Sequence, residues 1–494
     1  MRRIVVIGDG MVGSRFAELL VEADLGAHVT LLGKEPVPAY NRVLLSSVVA
    51  GTKSADLLRI AKEHPRIMRR TGVSAVTVDR DLMTVVDSTG RTHPYAALVL
   101  ATGSAARVPA VQGVADAHGL VDGVFVLKDM ADADGIVTAA GRARRAVVLG
   151  AGVLGLEVAT GLARRGIAVR LVHIADRLME RQLGWEASAV AESSLRRLGI
   201  ESHTGASLAR VHTTRGRVTS VRLEDGSELL TDMVVMCAGT IPETTLARAA
   251  GLACERGVIV DDSLATTDPH IWAIGDCAQP PGGARGLVAQ GWQQASTVVG
   301  VLTGSAPGAS DAVPTSDVVR VKADGMAMVA MGVCGDFDRS DPRYRVLSLK
   351  DPEGGRYIEV VVSGGQLVGA TCIGDGDVAA TLSALYTRRL PVPPDPAQLM
   401  IRALAGGGAA AATRDPADLK DDDKVCNCNT VTAGRIREAL ADGCETVKDV
   451  AGRTRATTGC GDCTALVEGL IACHRAAGAN PTNPAAPVAV TQGA

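Results

Sequence analysis

Apolar residues run in two rhythms through the first half of the chain. Short unbroken runs, Ile4-Val5-Val6-Ile7 and Ala146-Val147-Val148-Leu149, predict strands covered on both faces, since a half-exposed strand would alternate. Each run stops at glycine. Gly8-Asp9-Gly10-Met11-Val12-Gly13 follows the first, and Gly150-Ala151-Gly152-Val153-Leu154-Gly155 follows the second. Each glycine stretch opens an Ala/Leu-rich segment that predicts a helix, to Val21 and to Arg165. A second strand is expected after each helix, at 28–32 and 168–173. Further strands are expected at 75–78, 84–87, 97–100, 218–223 and 233–237. The first half therefore predicts two strand–turn–helix–strand units in tandem, each with a parallel sheet.

The pattern changes toward the C-terminus. Alternation at 357–362 and 367–372 predicts a small antiparallel sheet, with a helix near 378–386. Residues 405–424 are rich in Gly, Ala and Asp, the composition of a linker. Residues 425–475 form a compact segment with helices expected at 432–441 and 446–451, the first capped by Thr430 or Thr432. The stretch 476–494 is rich in Ala, Pro and Asn and almost uncharged, which predicts disorder.

With 494 residues, the chain exceeds what one core supports. A net charge of −3 offers no electrostatic footprint for nucleic acid or anionic membrane. The basic groups Arg69-Arg70, Arg142 to Arg145 and Arg164-Arg165 read as solvated helix ends. No apolar run reaches the roughly 18 residues of a membrane span. The apolar start is cut short by Gly8, so a buried strand is a better reading than a signal peptide, and a cytoplasmic location is expected. Cysteine usage sharpens the picture. Of eleven cysteines, none precedes Cys237 and six crowd the end, from Cys426 to Cys473. Terminal clusters of this kind in a reducing compartment read as metal or redox ligands.

The glycine turns carry nucleotide chemistry. In Gly8-x-Gly10-x-x-Gly13 the first glycine permits a tight turn, the second lets backbone approach a pyrophosphate, and the third lets helix and strand pack closely. The helix N-terminus offers free N–H groups to phosphate. Glu35, 22 residues after Gly13, can accept bonds from ribose hydroxyls, and Arg42 can pair with pyrophosphate. Strands ending in Thr102-Gly103 and Gly275-Asp276 bring small and acidic residues to the same sheet edge, where Asp276 can accept from a polyol. In Gly150-x-Gly152-x-x-Gly155 the chemistry repeats. Its second strand ends in His173 rather than an acid, and Arg177 suits a 2′-phosphate, so NADH and NADPH both remain open, with NADH favoured.

At these residues the chain resembles the two-dinucleotide-binding-domain flavoproteins, in which an NAD(P)H domain is inserted into an FAD domain. The resemblance implies two Rossmann-like domains, FAD at 1–112 and 237–310 and NAD(P)H at 113–236. A small α+β reductase C-terminal-type domain would follow at 311–404. It implies FAD contacts at Gly8, Gly10, Gly13, Glu35, Arg42, Thr102, Gly103 and Asp276. For the pyridine nucleotide it implies Gly150, Gly152, Gly155, Glu157 near the nicotinamide, and Gly239 in the return crossing. Lys53 is a candidate flavin neighbour, because related ferredoxin reductases carry a lysine after a Leu-Ser step; Ser46-Ser47-Val48 departs from that pattern. Disulfide reductases of this fold need a thiol in the FAD domain, and the stretch before Cys237 has none.

Cys426-x-Cys428, 31 intervening residues and Cys460-x-x-Cys463 supply four thiolates in two pairs. Iron–sulfur clusters and structural zinc both accept four cysteines, and His474 is a ligand candidate only in the zinc case. The spacing resembles the helical [2Fe-2S] domain of bacterioferritin-associated ferredoxins. A narrower resemblance rests on Pro38-Ala39-Tyr40-Asn41-Arg42-Val43-Leu44-Leu45-Ser46 and on His173-Ile174-Ala175-Asp176-Arg177-Leu178-Met179-Glu180-Arg181-Gln182-Leu183-Gly184. These segments are similar to the flavin half of assimilatory nitrite reductase large subunits and to electron-transfer subunits of assimilatory nitrate reductases. The resemblance implies NAD(P)H-to-flavin-to-cluster electron transfer. The acceptor would be a separate molybdenum-containing nitrate reductase or a separate nitrite reductase. The short stretch after Cys463 leads us to expect no internal sirohaem region. A general ferredoxin or rubredoxin reductase, and a redox-sensing or iron-handling binding protein, are the competing readings.

Overall fold

The computed structural model describes residues 2–283, 286–305, 317–323, 325–401, 416–426, 431–458 and 463–478. They fall in two compact units, Met1–Gly406 and Gly407–Ala494. The first unit opens with strand β1 (Arg2–Ile7), helix α1 (Met11–Ala23) and β2 (Ala27–Gly33). Helix α2 (Leu45–Ala50), β3 (Ile67–Thr71) and β4 (Ala97–Leu100) follow. The chain then builds β5 (Val124–Val126), α3 (Met130–Ala140), β6 (Arg145–Leu149) and α4 (Val153–Arg164). It continues with β7 (Ala168–Val172), α5 (Trp185–Arg197), β8 (Glu201–His203) and β9 (Met233–Met236). Strand β10 (Ile271–Ala273) and helix α6 (Val288–Thr303) complete the pattern.

Two five-stranded parallel sheets result, in the orders β10-β4-β1-β2-β3 and β5-β9-β6-β7-β8. The order β4-β1-β2-β3 of the first sheet is repeated as β9-β6-β7-β8 in the second; the outer strand β10 is the last of its sheet along the chain, whereas β5 is the first of its own. Ile7 lies beside Leu32 and Leu100, while Leu149 lies beside Val172 and Met236. The carboxyl ends of three central strands therefore coincide in each sheet, which is where such sheets bind ligands. β1, β4 and β9 are buried runs because both faces are covered, as the unbroken apolar runs predict. Helices lie on one face and a three-stranded antiparallel sheet on the other: Val78 and Val85 pack into the core of the first sheet, and Val211, Val221 and Leu223 pack on Val147, Val234 and Met236 of the second. Strand β7 ends at Val172, one residue short of the expected His173. The His173 N–H still bonds to the His203 carbonyl at 2.8 Å, but its side chain turns into the Gly150 loop.

One basic pair departs from expectation. Arg69-Arg70 lies on β3, not at a helix end, and the Arg69 side chain is only 8% exposed. It ion-pairs with Asp9 inside the first glycine turn and lies 3.7 Å from Glu18. The two sheets meet through their helices. Gly161 of α4 faces Ala50 of α2 so closely that a Cβ at 161 would stand 3.0 Å from the Ala50 Cβ.

A third sheet joins β11 (Val319–Ala323), β12 (Met326–Gly332), β13 (Arg345–Asp351), β14 (Arg356–Ser363) and β15 (Gln366–Ile373). Its order is β11-β12-β15-β14-β13, antiparallel throughout, and α7 (Gly376–Arg388) packs against it. Val329, Ile358, Val360 and Ala370 meet Val378 and Leu382 of α7 in one core. This is the small α+β fold that the alternating strands predict.

The second unit holds a short hairpin, β16 (Lys424–Cys426) and β17 (Val431–Thr432). Three helices follow: α8 (Ala433–Ala441), α9 (Val447–Thr454) and α10 (Thr464–Gly478). Thr432 caps α8, and Thr446 caps α9 in a reciprocal capping box with Asp449. Thr430 lies outside the described residues. Sequence reading missed α10, although Val467, Leu470 and Ile471 have helical spacing and are all buried. The helix runs to Gly478, so it overlaps the first residues of the stretch that composition assigns to a tail. No described helix is long and apolar enough to cross a membrane.

Candidate functional site

The two glycine turns occupy the same place in the two sheets. The Gly8 N–H bonds to the Leu32 carbonyl and the Gly150 N–H to the Val172 carbonyl, each at 2.8 Å. Steric need separates the glycines by role. A Cβ on Gly13 would stand 2.0 Å from the Gly8 carbonyl oxygen, and one on Gly155 would stand 1.7 Å from that of Gly150. Gly8 and Gly150 have φ of +118° and +107°, and their Cβ atoms would strike backbone of Ala101 and Cys237. A tight turn alone explains these four. It does not explain Gly10 and Gly152, which are ordinary extended N-caps of α1 and α4 with no side-chain cap bond. A Cβ on Gly10 would meet only the Arg42 Nε, at 3.9 Å, and one on Gly152 would meet nothing within 4 Å. Open space over a helix N-terminus at the second glycine fits a dinucleotide pyrophosphate.

Around the first turn the structure gathers most of the residues singled out above. Glu35 accepts from the Tyr40 hydroxyl at 2.6 Å and ion-pairs with Arg42. The Arg42 guanidinium lies over the Tyr40 ring, and its Nη1 donates to the Lys128 carbonyl at 3.2 Å. Burial pushes the Tyr40 phenol well above its usual value, so it stays a donor. Across the sheet edge, Asp276 accepts from the Ser104 hydroxyl at 2.7 Å. Lys128 Nζ donates to the same Ser104 oxygen at 2.7 Å and stands 3.6 Å from Asp276. Burial pulls the Lys128 pKa down, with Asp276 opposing. The Thr102 hydroxyl donates to the Glu243 carbonyl, and Gly103 has open space where a Cβ would stand. Tyr40 sits in a segment the sequence marked, but Ser104 and Lys128 carried no signal, because only the folded sheet edge brings them to Asp276.

The second turn faces a buried carboxylate. Glu157, on α4, is 4% exposed. It accepts from the Ser46 hydroxyl of α2 at 2.5 Å and from the Lys322 backbone N–H of β11 at 2.8 Å. Burial raises its pKa, with the Lys322 charge opposing. The same burial, with Glu157 beside it, pushes the Cys237 thiol up to about 12, so Cys237 is an inert thiol. Gly239 has φ of +92° and open space at its Cβ position. Lys53 is not brought to this cluster. It lies exposed beyond α2, bonded through its backbone to Ser47. The lysine that approaches Glu157 is Lys322, which the sequence did not reveal because it arrives from the third sheet. Arg177 is also committed elsewhere, to the Leu183 and Glu180 carbonyls and to Asp176 and Asp336.

In the C-terminal unit Cys426 and Cys463 are buried in one core with Val431, Ile436, Val450 and Val467. The Thr457 N–H donates to the Cys463 Sγ at 3.2 Å, the kind of bond that steadies a thiolate. Cys428 and Cys460 lie outside the described residues. Arg455 is buried in the left-handed conformation at the end of α9, whereas Arg453 is exposed and paired with Asp442 at 2.6 Å. The two described thiols and the backbone donor fit an anionic cluster.

Comparison with known proteins agrees with this geometry. Residues 2–299 match the pyridine nucleotide-disulphide oxidoreductase family, and residues 424–472 match the BFD-like [2Fe-2S] binding domain. The chain belongs to the pyridine nucleotide-disulphide oxidoreductase family. The same chain carries that family's segment and a BFD-like [2Fe-2S] binding domain. It is 32% identical to a nitrite reductase [NAD(P)H] of Bacillus subtilis, over 95% of this chain and 57% of that protein. It is 31% identical to the assimilatory nitrate reductase electron transfer subunit of the same organism, over 95% of this chain and 59% of that one. The chain thus spans little more than half the length of these relatives. Among solved structures, putidaredoxin reductase in its covalent complex with putidaredoxin superposes with a TM-score of 0.70. It is 26% identical and covers 81% of this chain and 96% of that one.

Proposed function

We propose that the chain takes a hydride from NAD(P)H at the 150–155 turn. Its electrons would pass by way of FAD and the [2Fe-2S] domain to a separate assimilatory nitrate reductase that carries molybdenum. The observation that carries this reading is a combination: two turns open at their second glycine, a cysteine module, and no thiol before Cys237 to divert electrons into disulfide chemistry. The relative named as a nitrate reductase electron transfer subunit supports the partner. Bound FAD supplies the exchange between a two-electron hydride and single electrons, and a [2Fe-2S] cluster handles electrons one at a time.

The chain's own residues bind and orient. Gly10 and Gly152 admit pyrophosphate to a helix N-terminus, Glu35 accepts from ribose, and Arg42 offers a cation to phosphate. Thr102, Gly103 and Asp276, with Ser104 and Lys128, form the edge that receives the flavin's polyol. Glu157 holds a proton more readily than a free carboxyl and fixes the nicotinamide side of the turn through Ser46 and Lys322. Cys426, Cys428, Cys460 and Cys463 hold the cluster.

Anaerobic titration of the purified protein with NADH, followed by visible and EPR spectra, tests the circuit. Flavin bleaching and a reduced-cluster EPR signal are expected, with nitrite formed from nitrate only when a purified nitrate reductase is added. A colourless protein, or zinc in place of iron, would sink the reading. Cys463→Ser should lose the cluster signal while dye-linked NADH oxidation stays within about twofold. The nitrite reductase relatives favour a second acceptor. Substituting a purified nitrite reductase in the same assay decides between them.

A further inference from the structure

In a dinucleotide fold the acid that reads the adenosine ribose stands at the end of the second strand. Here that place holds His173, 8% exposed. Its Nδ1 accepts from the Ala151 N–H inside the glycine turn, at 3.2 Å. The ring proton is therefore on Nε2, which donates to Glu180 Oε2 at 3.0 Å. The same segment is tied to the turn a second time, where the Met179 N–H bonds to the Ala151 carbonyl at 3.1 Å. One imidazole thus bridges the glycine turn to a carboxylate seven residues further on, and that side chain is 37% exposed.

The arginine nearby offers a 2′-phosphate little. The Arg177 Nε donates to the Leu183 carbonyl at 3.1 Å, Nη1 to Asp176 at 3.0 Å, and Nη2 to the Glu180 carbonyl at 3.3 Å and to Asp336. The guanidinium also stacks over Trp185, 5.1 Å from the ring centroid. Its charge is spent inside the protein. The exposed cation left beside Glu180 is Arg181.

We propose that Glu180, held by His173 against the 150–155 turn, supplies the carboxylate that the strand end lacks and selects a free adenosine 2′-hydroxyl, so that NADH is the donor in preference to NADPH. The inference rests on the reading of that turn as the pyridine nucleotide site. A carboxylate accepts a bond from a hydroxyl and repels a phosphate dianion, so one group both attracts one coenzyme and rejects the other. Burial is the largest influence on the Glu180 carboxyl and raises its pKa, but the His173 bond, a backbone N–H bond and the nearby Arg181 charge together outweigh it, so the net shift is downward and the carboxylate stays ionised at neutral pH. His173 is a positioning residue, since it aims Glu180 without needing to touch the coenzyme.

The test uses the flavin-loaded full chain and two readouts. Calorimetry compares ADP-ribose with its 2′-phosphate, and dye-linked kinetics compares NADH with NADPH. The wild type should favour the unphosphorylated form by roughly tenfold or more in both. Glu180→Ala and Glu180→Gln should each cut that ratio about tenfold, through KM rather than kcat. His173→Ala should move it the same way by less, and Arg181→Ala should leave it equal or raise it. Flavin content confirms that each variant is folded. A wild type that prefers the 2′-phosphate, or Glu180 variants that keep flavin and the wild-type ratio, would overturn the assignment. If the wild type binds neither ligand, the nucleotide site itself is refuted and the proposal goes with it. If it binds ADP-ribose but reduces no cluster, only the wider circuit fails.

Discussion

The two glycine turns share a backbone and differ in what holds them. In the first, the residue between the glycines is Asp9, ion-paired to Arg69, with side chains 1% and 8% exposed. Ser14 and Glu18 complete the buried group. In the second, the equivalent residue is Ala151, and the His173 Nδ1 accepts from its N–H. A buried ion pair that loses one partner leaves a costly lone charge, so the first turn is locked in one state. The second is held by single hydrogen bonds, each worth about 1 kcal/mol. The lesson is that one folding motif can be held rigidly or lightly, according to the residue between its first two glycines and the side chain that reaches it from elsewhere.

The comparison breaks first if the third glycines are not equivalent. Gly13→Ala and Gly155→Ala should both abolish soluble folded protein, at about 3 kcal/mol or more, because each Cβ would collide with a backbone carbonyl that cannot move. Soluble yield and circular dichroism read this out. Next, Arg69→Met should destabilise by about 3 kcal/mol in urea unfolding, since it strands Asp9, whose pKa burial already raises. A smaller loss would mean that the first turn is not locked by this pair.

The second glycines should then separate the two ligands. Gly10→Ala should keep the fold but weaken FAD retention by roughly tenfold, about 1.4 kcal/mol, whereas Gly152→Ala should retain flavin and raise the KM for NADH about tenfold. Flavin content and dye-linked kinetics distinguish them. The smallest effect concerns pH. The folded pKa of Glu157 lies above its unfolded value, so its contribution to stability is full below the unfolded value and is lost as pH rises through the raised one. Glu157→Gln removes that loss. Its melting temperature should gain on the wild type as pH rises above the usual carboxylate range, and a constant difference would refute the assignment.

Both glycine turns, their strands and the antiparallel sheet were legible because their signals are local: an apolar run, a glycine, a helical or alternating spacing. So was the C-terminal [2Fe-2S] domain, which the family comparison matches at residues 424–472. Local signals failed wherever a side chain travels across the fold. Arg69 looked like a surface cation and is an interior partner of Asp9. Arg177 looked available to a phosphate and is consumed by backbone carbonyls. Lys128 and Lys322 reach Asp276 and Glu157 from distant segments, so no spacing rule could name them, and Lys53 was singled out in their stead.

The pairing of Gly161 with Ala50 has a consequence for speed. A hydride crosses only between atoms already in contact, so its transit time depends steeply on ångström-scale clearance. The segments proposed to hold flavin and nicotinamide meet here across a hydrogen atom and a methyl group. A single added methyl at 161 would act as a shim, slowing the reaction without altering a residue that touches either ring.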